Sequence, residues 1–300
     1  MLKRTLFFGK KCYLYIKNNQ LVYKIKKDDN NEEEKRFPIE DLGFVIIDNM
    51  QITLSMPLVE KLIENNVALV FCDSKHLPKS LLLNLCGNHI QSEIFSHQIN
   101  AKLPLKKNLW KQTVEAKINN QMLLLKKLGK DYIDLLEYKN SVNSGDSTNR
   151  EAVASKFYWK NLFSHIEFKR DVEGDFPNNA LNYGYAILRA AVARSLIGSG
   201  LLPTIGIHHS NKYNDFCLAD DIMEPFRPFV DEIVYNISIN NPNAKELTVD
   251  MKKSLLELLA EDTEYPNIKR PLMVGLSQTT SSLARCFCGK DKKIIYPELG

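Results

Sequence analysis

The sequence predicts an α+β chain: a small β-rich N-terminal domain carrying one helix, residues 1–80, followed by a larger all-helical domain, residues 81–300. Three observations predict this. Short runs of β-branched and aromatic residues, separated by polar turns, fill residues 1–80. From Leu81 the apolar residues recur at intervals of three and four, the helical spacing. A chain of 300 residues, 44% of them hydrophobic, has enough apolar side chain for two units.

The N-terminal residues 1–9 are basic and then apolar, but they run into Gly9-Lys10-Lys11 with no small-residue cleavage site, so they read as a first strand. Residues 12–16 (CYLYI) and 21–25 (LVYKI) are strands, and the polar residues 17–20 between them predict a hairpin. Residues 26–36 are almost wholly polar or charged and are expected to be a solvated hairpin tip. Residues 44–47 and 67–71 are further strands, on either side of a short helix over residues 57–64 that starts at Pro57. Beyond Leu81, helices are expected over residues 106–139, 151–169, 183–198, 218–237 and 249–261. Loops fall at residues 140–149 and 177–182, and Gly198, Gly200 and Pro203 stop the third of these helices.

Composition excludes several classes. No apolar run reaches the roughly 18 residues of a membrane span. Six cysteines include one close pair, Cys286 and Cys288, with no second pair at zinc-site spacing, so reduced thiols in a cytoplasmic protein are expected. The net charge of +4 is a weak indication of a polyanionic partner. The lysines spread through residues 102–127, Lys117 among them, fit a DNA-binding surface or simply the wet faces of helices.

Two segments carry candidate chemistry. The loop 206–215 (GIHHSNKYND) holds His208 and His209, and residues 218–228 (LADDIMEPFRP) follow closely. On one continuous helix Asp220, Glu224, Arg227 and Asp231 share a face. Carboxylates beside a histidine suit a hard or borderline divalent ion such as Mg²⁺ or Mn²⁺. An amphipathic helix with acids on its wet face explains the second segment equally. Glu151, at the start of a helix beside small residues, either joins such a site or complements the helix dipole.

Three strings in order, NREAVAS-x-FYW from Asn149, NYGYAILRAAVARSLIGSGLLPTIGIHH from Asn182 and LADDIMEPFRP from Leu218, resemble the universal CRISPR adaptation integrase family, the first CRISPR-associated protein ("Cas-one"). The similarity extends to the N-terminal strands, to residues 109–112 (LWKQ) and 117–121 (KINNQ), and to residues 294–297 (IIYP). The resemblance implies a metal-dependent DNA endonuclease and integrase that inserts short foreign fragments into a CRISPR array. It implies Glu151, His209 and Glu224 as catalytic metal ligands, with His208 the near alternative to His209. Asp220 and Asp221 are expected just behind them, and Arg227 either faces the scissile phosphate or pairs with an acid of its own helix. The cofactor implied is Mg²⁺ or Mn²⁺. The partners implied are a second copy of the chain, paired through the N-terminal domain, the small second adaptation protein ("Cas-two") in a heterohexamer, and double-stranded DNA as prespacer and repeat. The HH and ADD-x-MEP strings resemble the form that accompanies the type II effector nuclease. Two rival readings are a non-catalytic DNA-binding module and a metal-dependent hydrolase of a small substrate.

Overall fold

The computed structural model describes residues 3–28, 31–84, 86–266 and 268–300. The chain divides into two compact units, residues 1–87 and 88–300.

The first unit is built from strands β1 (Arg4–Phe8), β2 (Tyr13–Lys17), β3 (Gln20–Asp28), β4 (Asn31–Pro38), β5 (Leu42–Ile47) and β6 (Thr53–Leu54), helix α1 (Met56–Glu64), and strands β7 (Ala68–Cys72) and β8 (Pro78–Leu82). They form two four-stranded sheets, ordered β1-β5-β7-β8 and β4-β3-β2-β6. Strand β5 lies between the parallel strands β1 and β7, and all its residues are buried. An unbroken apolar run is what a parallel strand covered on both faces requires. Both sheets and α1 share one core, in which Leu14, Leu21, Val45, Leu58, Leu62 and Leu69 meet. The expected hairpin at residues 17–20 is present. Asn18 and Asn19 both take positive φ, 51° and 56°, as a tight turn matched to strand twist demands.

The charged run 26–36 is not simply a tip. The β3–β4 ladder continues through it, setting Lys24 opposite Glu34, so antiparallel pairing brings opposite charges together across the strands. The expected tip residues Asp29 and Asn30, and the first two residues of the expected first strand, lie outside the described residues.

The second unit contains α2 (Gln91–Ile99), α3 (Leu103–Lys127), α4 (Ile133–Asn140), α5 (Arg150–Leu162), α6 (Asn178–Gly198), α7 (Cys217–Met223), α8 (Arg227–Asn240) and α9 (Val249–Glu257). A two-stranded antiparallel ribbon, β9 (Asp262–Tyr265) with β10 (Ile268–Pro271), and α10 (Leu272–Phe287) follow. Helix α6 is the centre of this unit and is buried along most of its length. Gly184 on α6 makes room for its neighbour. A Cβ there would stand 2.4 Å from Val230 Cγ1 of α8.

Several helix limits differ from expectation, each for a local reason. The helix expected over 106–139 is two: α3 ends where Gly129 takes φ 66°, with Gly129 N bonding Lys126 O and Lys130 N bonding Leu125 O. Helix α5 stops at Leu162, and Phe168 folds back so that its ring lies 4.5 Å from that of Phe163. Helix α6 begins directly after Pro177, so residues 178–182 are helical. The single helix expected over 218–237 is α7, a 3-10 turn over Glu224–Phe226, and α8. Pro225 and Pro228 lack the N–H donors that a continuous helix would need.

Candidate active site

The break at Pro225 decides where each acid goes. Asp220, Glu224 and Asp231 do not line up on one wet face. All three are buried, and each meets different partners. Asp220 accepts from Arg189 Nε at 2.6 Å and from Asn214 Nδ2 at 2.7 Å. Asp231 accepts from the hydroxyls of Tyr158 (2.8 Å) and Tyr185. Glu224, held in the 3-10 turn and 6% exposed, faces two cations: its Oε1 accepts from Arg227 Nε at 2.9 Å, and its Oε2 lies 2.6 Å from Lys117 Nζ. The ammonium is off the line of a hydrogen bond to Oε2, which leaves that buried oxygen without a donor. Burial alone would raise the Glu224 carboxyl, but Arg227 and Lys117 outweigh it and hold the pKa down to about 2.

Glu151 stands in the first turn of α5. That turn is closed by Asp146, whose carboxylate accepts from the Arg150 and Glu151 amides at 2.8 and 3.0 Å. With those amides already satisfied, the Glu151 side chain turns to its neighbours, accepting from Lys117 Nζ and from Ser155 Oγ at 3.2 Å. Glu151 and Glu224 are therefore brought together by one lysine. Lys117 comes from the buried face of α3, between Val114 and Gln121, and is 7% exposed. It is not on a wet helix face. Its signal in the sequence was register: a lysine at the helical spacing of Val114, Ile118 and Gln121.

His209 is placed by Asp221. The loop ahead of it wraps around that fully buried carboxylate. Ile207 N (2.7 Å), His208 N (3.0 Å) and His209 N (3.1 Å) all donate to it, as does His209 Nδ1 at 2.6 Å. A carboxylate ringed by donors accepts the Nδ1 proton and leaves Nε2 as the ring's available nitrogen. The hydrogen bond to Asp221 raises the His209 pKa against the opposing effect of burial, and the charge of Glu224 adds to it. Gly206 permits the wrap, because a Cβ there would lie 2.3 Å from His209 O and 2.7 Å from Asp221 Oδ2. His208 goes elsewhere: its ring stacks on Trp110, with centroids 4.1 Å apart and planes 2° apart.

A cavity of about 200 Å³ opens at the two glutamates, lined by Lys117, Ser155, Trp159, Arg170, Tyr185 and Arg227 among others. The guanidiniums of Arg227 and Arg170 lie over the Tyr185 ring at 4.5 and 5.7 Å. A larger cavity of about 1030 Å³, between α3 and residues 286–296, contains none of the candidate residues. Among the described residues, no three His, Cys, Asp or Glu side chains stand together closely enough to hold a metal ion. The structure brings Glu151 and Glu224 onto one ammonium and sets His209 on Asp221 within electrostatic reach of Glu224 and Asp220, while the Asp220 carboxylate is held by Arg189 and Asn214 and the His208 ring by Trp110. Sequence reasoning read Lys117 as a DNA-facing or solvated lysine and Asp231 as a neighbour of Glu224 on one helix face, and it passed over Tyr158 and Tyr185; all four complete the surroundings.

A β-rich N-terminal unit followed by a helical unit is the make-up of a known family. The sequence model of CRISPR associated protein Cas1 matches residues 6–261, and the chain belongs to that family, as its motifs led us to expect. The CRISPR-associated endonuclease Cas1 of Neisseria meningitidis serogroup C is 36% identical over 299 residues, 99% of this chain and 96% of that protein. Among solved structures, a casposase bound to integration product superposes with a TM-score of 0.80 at 20% identity, covering 98% of this chain and 92% of that one. A Cas6-RT-Cas1–Cas2 complex superposes with a TM-score of 0.74 at 19% identity, covering 99% of this chain and 36% of that one. At these identities the two structures establish likeness of fold.

Proposed function

We propose that this chain is a DNA endonuclease and integrase of CRISPR adaptation, dependent on Mg²⁺ or Mn²⁺ held by Glu151, His209 and Glu224. The observation that carries the reading is the convergence of the Glu151 and Glu224 carboxylates on a single cationic point, with an oxygen of buried Glu224 lacking any hydrogen-bond donor. The donor set fits the ion: two carboxylates and a neutral imidazole nitrogen are what a hard or borderline divalent cation takes. An ammonium now stands at that point, so the carboxylates are already aimed at a positive charge. Such an ion supplies charge neutralisation at a phosphodiester and polarises the attacking oxygen.

The chain's own residues do the rest. Asp221 fixes the His209 tautomer and bearing. Arg227 braces Glu224 from the side away from Lys117. Arg170 and Arg227, stacked on Tyr185, add positive charge to a site that must accept a phosphate. When a DNA 3′-hydroxyl attacks, one phosphorus–oxygen bond forms as another breaks. The proton of the attacking hydroxyl is given up and the departing strand end takes one, so one strand is joined as the other is released. With water as the attacking group the same exchange is hydrolysis, so one site serves both activities.

The name of the 36% identical relative supports the endonuclease assignment. We further assign the partners that the sequence implies: a second copy through the N-terminal unit, the small second adaptation protein in a heterohexamer, duplex DNA as prespacer and repeat, and the type II effector nuclease. The solved complex that includes Cas2 supports the second of these. An enclosed small-substrate hydrolase is disfavoured by the cavity, which at about 200 Å³ is below the roughly 300 Å³ at which ligand pockets begin. No helix among the described residues is long and apolar enough to cross a membrane.

The test is strand transfer of a short duplex into supercoiled repeat-bearing DNA, with Mg²⁺, Mn²⁺ or EDTA. Wild type is expected to be active with either ion and silent in EDTA, and Glu151→Ala, His209→Ala and Glu224→Ala to be silent throughout. DNA binding without metal-dependent strand breakage would leave only the DNA-binding module.

A further inference from the structure

The two candidate metal-binding glutamates are neutralised by a cation that the chain itself carries. Lys117 Nζ pairs with Glu151 and stands 2.6 Å from Glu224 Oε2, on a side chain that is almost wholly buried. A buried ammonium loses its hydration, and close carboxylates are what compensate it. Conversely, two carboxylates drawn together in a buried site repel unless a positive charge lies between them. Lys117 and the two glutamates thus hold each other in place, and the carboxylate charges that the ammonium neutralises are those a divalent ion would need.

We propose that Lys117 is a resident counter-ion: it occupies the cation position while metal is absent and gives way when the divalent ion binds. This rests on the metal reading given above. The exchange asks little of the fold. Arg227 grips Glu224 through Oε1 and leaves Oε2 as the oxygen to be exchanged. The lysine stem has four rotatable carbons, so its head can withdraw while α3 stays fixed. The adjoining cavity, which Lys117 itself lines, gives the displaced ammonium somewhere to go. Metal affinity is then set by a competition inside the site, because each ion must break the pairs that Lys117 makes.

The test is Mn²⁺ binding to the full-length chain, read by calorimetry and by the paramagnetic signal of free Mn²⁺. Lys117→Met keeps length and apolar bulk but removes the competitor, so its Mn²⁺ dissociation constant is expected to fall about tenfold or more, as loss of a buried competing ion pair would give. Lys126→Met, an exposed lysine of the same helix, removes the same unit of net charge and is expected to bind as wild type does. If wild type binds Mn²⁺ and Lys117→Met binds equally or more weakly, the counter-ion role is overturned and the metal site stands. If neither binds, the metal reading falls and this inference with it. Should Lys117→Met fail to fold, amine labelling of the wild type decides. Lys117 is expected to be protected in EDTA and to be labelled several-fold faster with Mn²⁺ bound; unchanged labelling in the Mn²⁺-bound protein overturns the proposal.

Discussion

Replacing Glu224 by Gln isolates what its charge contributes, since size and shape are nearly kept. The carboxyl is held at about 2 instead of its ordinary 4.5, with Arg227 and Lys117 outweighing burial. A group whose folded pKa is depressed contributes stability above its unfolded pKa and loses it as pH falls through the folded value. The shift is 4.5 − 2 = 2.5, which at ~1.4 kcal/mol per unit is about 3 kcal/mol. Glu224→Gln is therefore expected to lower the stability of the metal-free protein by about 3 kcal/mol near neutral pH, a large share of the roughly 5–15 kcal/mol typical of a folded domain. The deficit should close as pH falls from 4.5 towards 2. Urea unfolding in EDTA followed by tryptophan fluorescence measures it. Trp110 and Trp159 both lie in residues 88–300, so the signal reports on the unit that contains the site. A deficit of the same size at neutral pH and near pH 3, or none at neutral pH, would refute the reasoning.

Four further outcomes are expected. In strand-transfer assays His209→Ala should be inactive and His208→Ala only partly impaired, because the His208 ring is spent on Trp110; the reverse order would exchange the two assignments. Asp231 is pushed up by burial to about 7, from 3.8, against the hydrogen bonds of two tyrosines. A raised acid pKa contributes stability below 3.8 and loses it as pH rises through about 7. The melting temperature of Asp231→Asn relative to wild type should accordingly climb between pH 5 and pH 8, and a constant difference counts against the buried-acid argument. Gly206→Ala forces a methyl against His209 O and Asp221, which should cost about 1–3 kcal/mol or more in urea unfolding and strand transfer besides; an unperturbed variant would show that the wrap is not tight. Filter binding of duplex DNA should show log affinity falling linearly with log salt, with Glu224→Ala binding as well as wild type in EDTA; a flat salt dependence removes phosphate binding from the account.

The outline of the fold was legible because its signals are local. The apolar run of β5, the Asn18-Asn19 turn and the low charge of α6 each state their own structure. Strands β4, β6 and β8 escaped notice, as did the β9–β10 ribbon in the unit expected to be all-helical, because their stability comes from pairing and not from their own composition. The limits of α7 and α8 were misjudged although Pro225 and Pro228 were in plain view, since helical spacing of the acids suggested continuity across them. At the site, Glu151, His209 and Glu224 were chosen from motifs, and the residues that set their environment were not. Lys117 was counted among solvent-facing lysines, and only its register with Val114 and Ile118 gave away that it is buried. Asp231 was placed beside Glu224 by helical arithmetic, whereas its partners Tyr158 and Tyr185 come from α5 and α6, a meeting that no single segment reveals.

Asp221 is gripped by three consecutive amides and by the imidazole that follows them. The bearing of His209 is thus written in the main chain, which leaves no room for a side chain at Gly206. Tyr213, 81% exposed with Lys212 resting over its ring, stands just past the anchored residues and takes no part in holding them. Variation at that exposed tip is therefore decoupled from the aim of the imidazole, whereas Asn214, which donates to Asp220, belongs to the mount.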